Sequence, residues 1–445
     1  MASAAEQMAS SLSLGAFGKA TELKKRILFT LGALIIFRLG TYIPVPGIDA
    51  TVMAHQMSQN GGGILGMFNM FSGGALGRMT IFALNIMPYI SASIIVQMMS
   101  AAIPALDALK KEGEAGQQKK VRYTRYLTVI IATVQAYGIS IGLADMKTTL
   151  GPAVIDPGLL FTVTCVITLV GGSIFLMWLG EQITSRGIGN GASLIIFAGI
   201  VANLPVAIAN ILELGSTGAL SSVFIIGFFI VGFAVIGFVV FMERAQRRIL
   251  IQYPKRQVGQ KMFGGDSTHM PLKVNTSGVL APIFASTLLL LPATIVGFSH
   301  GSSGWLQVVA HELSHGQPGY MILYAVLIVF FSYFATATVF NPEDTADNLK
   351  KNGGFIPGIR PGANTAAYFD RVLTRLTTIG AAYLVIVCLL PEFVLSNYSL
   401  PFYFGGTSLL IIVSVTMDTV AQVQSHLLAH QYEGLIRKNR GKGRK

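Results

Sequence analysis

ILGMFNMFSGGALGRMTIFALNIMPYISASIIVQMMSAAI, residues 64–103, holds two apolar stretches of unequal length, and that inequality decides the fold. The second, residues 78–103, is long enough to cross the hydrocarbon core of a bilayer, for which a helix needs about 20 residues. The first, Ile64 to Phe71, is only 8 residues long and lies between Gly61, Gly62, Gly63 and Gly73, Gly74. It cannot span. Two readings remain for it. One is a half-inserted helix with glycine hinges, which a bilayer tolerates only where protein or a water-filled cavity surrounds it. The other is a short helix lying on the external surface of the membrane.

Outward from this stretch, further runs of helical length recur at about residues 27–43, 125–143, 159–180, 192–212, 222–242, 278–298, 320–340, 373–395 and 406–423. With 52% hydrophobic and only 12% charged positions in 445 residues, the chain is too apolar for a soluble protein, and these runs leave no room for a large soluble domain. The expected class is an all-α integral membrane protein of ten transmembrane helices. Five runs per half would set the halves in opposite orientation, so two inverted five-helix halves are geometrically natural. The opening residues lack the charged start and long apolar core of a secretory signal, which predicts a retained N-terminus.

Charge gives the topology. Of the 32 Lys and Arg, 29 fall in the two tails and in the loops after runs 2, 4, 6 and 8; only Arg38, Arg78 and Lys147 fall on the other face. This positive-inside asymmetry predicts that both termini and all the basic loops are cytoplasmic. It absorbs most of the net charge of +12. The loop from Glu243 to Lys273 still carries Arg244, Arg247, Arg248, Lys255, Arg256, Lys261 and Lys273, more than orientation requires.

Chemistry is sparse. Cys165 and Cys388 lie inside apolar runs, so neither a disulfide framework nor a thiolate metal cluster is expected. His311, Glu312 and His315 form a literal H-E-x-x-H, which on a helix could share a zinc with Glu312 as general base. However, the motif falls in an external loop of about 20 residues, with no domain to shape a cleft. The remaining candidate ligand, His300, sits beside Gly301, Ser302, Ser303 and Gly304, and a solvated loop helix is the preferred reading. RGIGNG, from Arg186 to Gly191, lacks the G-x-G-x-x-G spacing and a preceding strand, and reads as a tight turn into the fifth run. A proton- or ion-coupled transporter would need ionisable groups deep in its spans. Here the mid-span polar residues are neutral, among them Asn85, Gln97 and Gln135, and Asp418 lies toward one end of its run. Ile86 and Ile90 lie one turn apart about Pro88, facing either a pore or a packed seam.

FNMFSGGALGR, NIMPYISASIIVQMM, MWLGEQITSRGIGNG, STHMPLKVN, VFNPEDTADNLKKNGGFIPGIRPG and PFYFGGTSLL together resemble the bacterial SecY family of protein-translocation channels, from about Leu23 to Tyr432. The resemblance implies a cytoplasmic tail (1–22), an N-terminal half (23–213) and a C-terminal half (214–424). Large cytoplasmic loops are implied at 243–275 and 341–372, and a basic cytoplasmic tail at 425–445. The half-helix becomes a plug at about 64–74, through Ile64, Leu65, Met67, Phe68, Asn69, Met70 and Phe71. Matching positions for a pore ring are Ile86, Ile90, Ile196, Ile283 and Ile411. A lateral gate lies between spans 2 and 7, flanked by spans 3 and 8, with Pro88 and Pro282 interrupting the two gate helices and Gln97 beside them. Lys255 and Arg256, at the basic tip of the first large loop, and Arg360 in the second match a docking surface. Its implied partners are the SecA motor ATPase and the ribosome, with ribosomal RNA contact through the basic loops. SecE-like and SecG-like small membrane subunits, signal peptides, translocating polypeptides and the lipid bilayer complete the implied partners. The implied location is the bacterial cytoplasmic (inner) membrane, and neither catalysis nor a cofactor is implied. With no G-x-x-x-x-G-K-[ST] in the chain, nucleotide hydrolysis falls to a partner. Asn85 departs from the family, where a small residue, usually glycine, is expected.

Overall fold

The computed structural model describes residues 21–49, 51–53, 55, 69, 71–104, 106, 112–144, 147–148, 151–217, 221–254, 256–258, 261–263, 267–298, 317–397 and 406–442. Its helices are α1 (Thr21–Gly40), α2 (Met87–Ala102), α3 (Glu114–Ala144), α4 (Leu159–Arg186), α5 (Gly191–Ser216), α6 (Ser222–Arg244), α7 (Leu280–Phe298), α8 (Pro318–Val339), α9 (Pro342–Lys351), α10 (Ala363–Asn397) and α11 (Gly406–Lys442). Among the described residues, seven helices are long and apolar enough to cross a membrane: α3, α4, α5, α6, α8, α10 and α11. The chain is a multi-pass, mainly helical membrane protein. Its surface agrees with that class. Leu159, Leu160, Val223, Phe233 and Phe241 are large apolar residues left exposed, as lipid-facing positions are.

Each apolar run coincides with a helix, but with instructive differences at the ends. The helix of the run at 78–103 starts only at Met87, and residues 72–86 fold as turns. Pro88 accounts for this: it has no N–H to donate, and its ring would clash with the carbonyl four residues back. It therefore sits in the first turn of α2, where a missing donor costs nothing. Pro282 likewise falls in the first turn of α7. The expectation that these two prolines interrupt their helices is thus corrected, because both open a helix. Conversely, α10 begins ten residues before its apolar run and α11 continues to Lys442, since hydropathy reports the apolar part of a helix and not its polar extension.

The turns before α2 satisfy their backbone by pairing with the chain leaving α1. Val45 N–H donates to the Met79 carbonyl at 2.9 Å, and Ile81 N–H to the Ile43 carbonyl at 3.0 Å. One apolar cluster runs from α1 to α11 through both halves of the chain. A second joins the two large basic loops. There β3 (Gln246–Gln252) pairs antiparallel with β6 (Ser267–Lys273), and β4 (Arg256–Val258) with β5 (Lys261–Phe263). A small hairpin of β1 (Lys147–Thr148) and β2 (Gly151–Pro152) lies in the connection between α3 and α4.

Candidate pore, plug hinge and docking face

Ile86 caps the N-terminus of α2, Ile90 lies in its first turn, and Ile196, Ile283 and Ile411 come from α5, α7 and α11. All five are 7% exposed or less, and all belong to the same apolar cluster. Helix α7 packs against both α2 and α3, and α8 packs against α7. Pro88 and Pro282 are buried at the starts of α2 and α7; Gln97 is half-buried and donates to Ser93 on its own helix at 3.2 Å. Gln135 on α3 keeps a buried Oε1 without a partner.

Of the short apolar segment, Asn69 and Phe71 are described; Ile64, Leu65, Met67, Phe68 and Met70 lie outside the described residues. The C-terminal side of the segment is a built hinge. Gly73 and Gly74 have φ of 67° and 85°, a left-handed backbone that glycine adopts without steric cost. The Asn69 carbonyl accepts from Gly74 N–H at 2.8 Å, and its Oδ1 accepts from Gly77 N–H at 2.6 Å. Arg38 donates to the Gly73 carbonyl at 2.7 Å and to the Tyr42 hydroxyl at 3.1 Å. The Arg38 and Arg78 guanidinium carbons stand 5.1 and 4.3 Å from the centre of the Tyr42 ring, in cation–π range. Thus Arg38 and Arg78, two of the three cations that the sequence sets apart from the tails and basic loops, converge on this hinge. Their isolation from other cations is the only sequence signal for them. On the approach to the segment, the Asp49 carboxylate accepts from the Thr51 hydroxyl at 2.6 Å and from backbone N–H groups, which hold its carboxyl below the usual range.

On the basic face, Arg360 is exposed on a loop held in place from several sides. Gln252 and Phe355 exchange two backbone hydrogen bonds of 2.9 Å, tying that loop to the edge of β3. Ile249, Leu272 and Ile356 pack with Phe369, Val372, Leu373 and Leu376 of α10. Asn341 caps α9 by accepting from Glu343 N–H, Pro342 opens that helix, and Lys350 and Lys351 close it, a charge order that suits the helix dipole. Arg256 begins β4, so it flanks the hairpin extension and does not form its turn. Lys255 lies outside the described residues, as do His300, His311, Glu312 and His315. Where the first loop returns to α7, Asn275 donates to the Glu243 carboxylate at 2.6 Å and accepts from Ser277 Oγ and Gly278 N–H. The RGIGNG stretch is a turn, in agreement with its glycine spacing: Asn190 caps α5 by accepting from Ala192 and Ser193 N–H.

These features define a polytopic helical membrane protein in which the five isoleucines matched to a pore ring, drawn from four helices, are buried in one apolar cluster. The SecY family model matches residues 80–420. The chain is 54% identical over 417 residues to the protein translocase subunit SecY of Rickettsia conorii, covering 94% of this chain and 96% of that one. It is 54% identical over 424 residues to that of Escherichia coli, covering 95% and 96%. A solved structure described as "The structure of a protein conducting channel" has a TM-score of 0.67 at 20% identity, over 91% of this chain and 92% of that one. Another, described as "Sec61 in the Canine ribosome-channel complex from the endoplasmic reticulum", has a TM-score of 0.64 at 20% identity, with the same coverage of 91% and 92%. The chain belongs to the SecY family. It is a channel subunit of a protein translocase and not an enzyme in its own right.

Proposed function

We propose that this subunit forms the path by which unfolded polypeptides cross the bacterial cytoplasmic membrane, and from which apolar segments leave sideways into the bilayer. One observation carries the reading: five isoleucines from α2, α5, α7 and α11 are all buried in the one apolar cluster that also holds Phe71 of the glycine-hinged segment. Apolar side chains around a narrow gap exclude ions by dewetting, yet offer a passing chain no hydrogen bond that would hold it. The segment from Ile64 to Phe71 is the plug. Signal peptides part α2 and α3 from α7 and α8, their own apolar helices replacing part of the lost contact. Both termini and the basic loops lie in the cytoplasm, where the β3–β6 hairpin and the Arg360 loop receive the SecA motor ATPase or a ribosome. SecE-like and SecG-like subunits complete the assembly.

The docking part is tested by Arg360→Glu in vesicles reconstituted with the small subunits and the motor. Motor-driven export is expected to fall at least about tenfold, equivalent to ~1.4 kcal/mol of lost contact. Membrane insertion and co-purification of the small subunits should be unchanged. Export at the normal rate would reject this role for Arg360.

A further inference from the structure

Asn85 stands at the junction between the plug hinge and the ring. Its φ is 52°, in the left-handed region that side chains other than Asn and Asp rarely enter. It is buried, and its Nδ2 donates 2.7 Å to the carbonyl of Phe71, 14 residues earlier in the chain. Its Oδ1 is buried without a partner. The next residue is Ile86, the first of the five isoleucines. The Phe71 carbonyl is also confined from another side: a Cβ on Gly199 of α5 would collide with it. The last carbonyl of the short segment is therefore held between an amide on the approach to α2 and the bare backbone of α5.

We propose that Asn85 is a positioning residue that latches the plug shut, tying the end of the plug to the first residue of the ring so that the two seal together. The half-satisfied amide makes the latch releasable. While the pore is dry, one side-chain bond offsets the burial of Asn85, and Oδ1 goes unpaired. Once water enters, both ends of the amide are hydrated, so the closed state loses the advantage a fully paired amide would have given it. Closing is favoured by the dry ring and opening by its wetting, and Asn85 links the two.

This inference rests on the ring and plug reading, and its test separates the two. The full chain with its small subunits is reconstituted into vesicles, and resting ion conductance is measured for Asn85→Gly, Gly199→Ala, their combination, and the ring variant Ile86→Ser with Ile283→Ser. Glycine adopts the Asn85 backbone without strain, so Asn85→Gly removes the donor and keeps the turn. A purely conformational role would leave this variant as tight as the parent, or tighter. The latch predicts at least about a threefold rise in conductance, passage of precursors with weakened signals, and little change in thermal unfolding of the purified complex. Gly199→Ala, which displaces the same carbonyl, should leak similarly, and the combination should leak little more than either alone. Parent-like conductance of Asn85→Gly, alongside a leaking ring variant, overturns the latch and leaves the ring standing. If the ring variant is also tight, the pore reading falls and the latch falls with it. Fully additive leaks would overturn the idea that both residues act on one carbonyl.

Discussion

Ile86 and Ile283 make the narrowest test of the pore, because they come from α2 and α7 and are buried without any side-chain hydrogen-bonding duty. Changing both to Ser removes about 1.5–3 kcal/mol of apolar transfer free energy per side chain, so a wetted constriction becomes tenfold or more easier to reach. Resting conductance should rise accordingly, with insertion into the membrane unaffected. A single Ile90→Asp distinguishes pore from lipid. Against lipid, a charge near the bilayer centre costs about 2.5–3.5 kcal/mol on insertion scales and should impair insertion. Facing a pore, it should insert and leak. Failed insertion of Ile90→Asp together with a tight serine pair would remove the ring. Family motifs single out these five positions, since periodicity cannot tell a lumen from a packed seam. Asn85 is legible only as a departure from the family, and nothing in the sequence shows its bond to Phe71.

The elements show where a linear reading succeeds and where it stops. Helix positions emerge from apolar length alone, because a bilayer requires every backbone polar group to be paired within its own segment. The turns at 72–86 escape that logic: they are apolar enough to read as helix, but Pro88 forbids it and pairing with Ile43 and Val45 replaces the lost hydrogen bonds. The β3–β6 hairpin is hidden for another reason. Its burial alternates at Ile249 and Ile251 on either side of an exposed Leu250, so the stretch reads as a short apolar run after Arg247 and Arg248, and charge counting draws attention to its surface and not to its fold. Phe369, fully buried, is the joint between that hairpin and α10. Phe369→Ala should cost the joint about 3–5 kcal/mol. Trypsin should then cut the hairpin faster while the membrane helices remain protected. An unchanged cleavage rate would show that the backbone bridge between Gln252 and Phe355 suffices without the apolar joint.

At the scale of the whole molecule the charge asymmetry becomes a map that labelling can check. In a chain whose buried Cys165 and Cys388 have been replaced, single cysteines at Lys147 and Arg360 should react with an impermeant thiol reagent from opposite sides: outside for Lys147, cytoplasm for Arg360. External labelling at Arg360 would invert the proposed topology. The bundle itself is packed as one apolar cluster from α1 to α11. The prolines of α2 and α7 bear on how that cluster can move. After its first turn α2 carries no proline and behaves as a single lever, whereas α7 carries Pro292 in its interior and is a lever only up to that point. A rod of 16 residues such as α2 rises about 24 Å, so a tilt of roughly 10° about its foot carries its far end about 4 Å. The two fulcrums differ in what they are attached to. That of α2 is Ile86, immediately after the turn that grips the plug hinge, and that of α7 comes after the return of the β3–β6 hairpin through Asn275. Under the proposed function, movement of the plug is therefore geared up along the whole of α2, whereas a displacement at the docking face is carried by α7 only as far as Pro292.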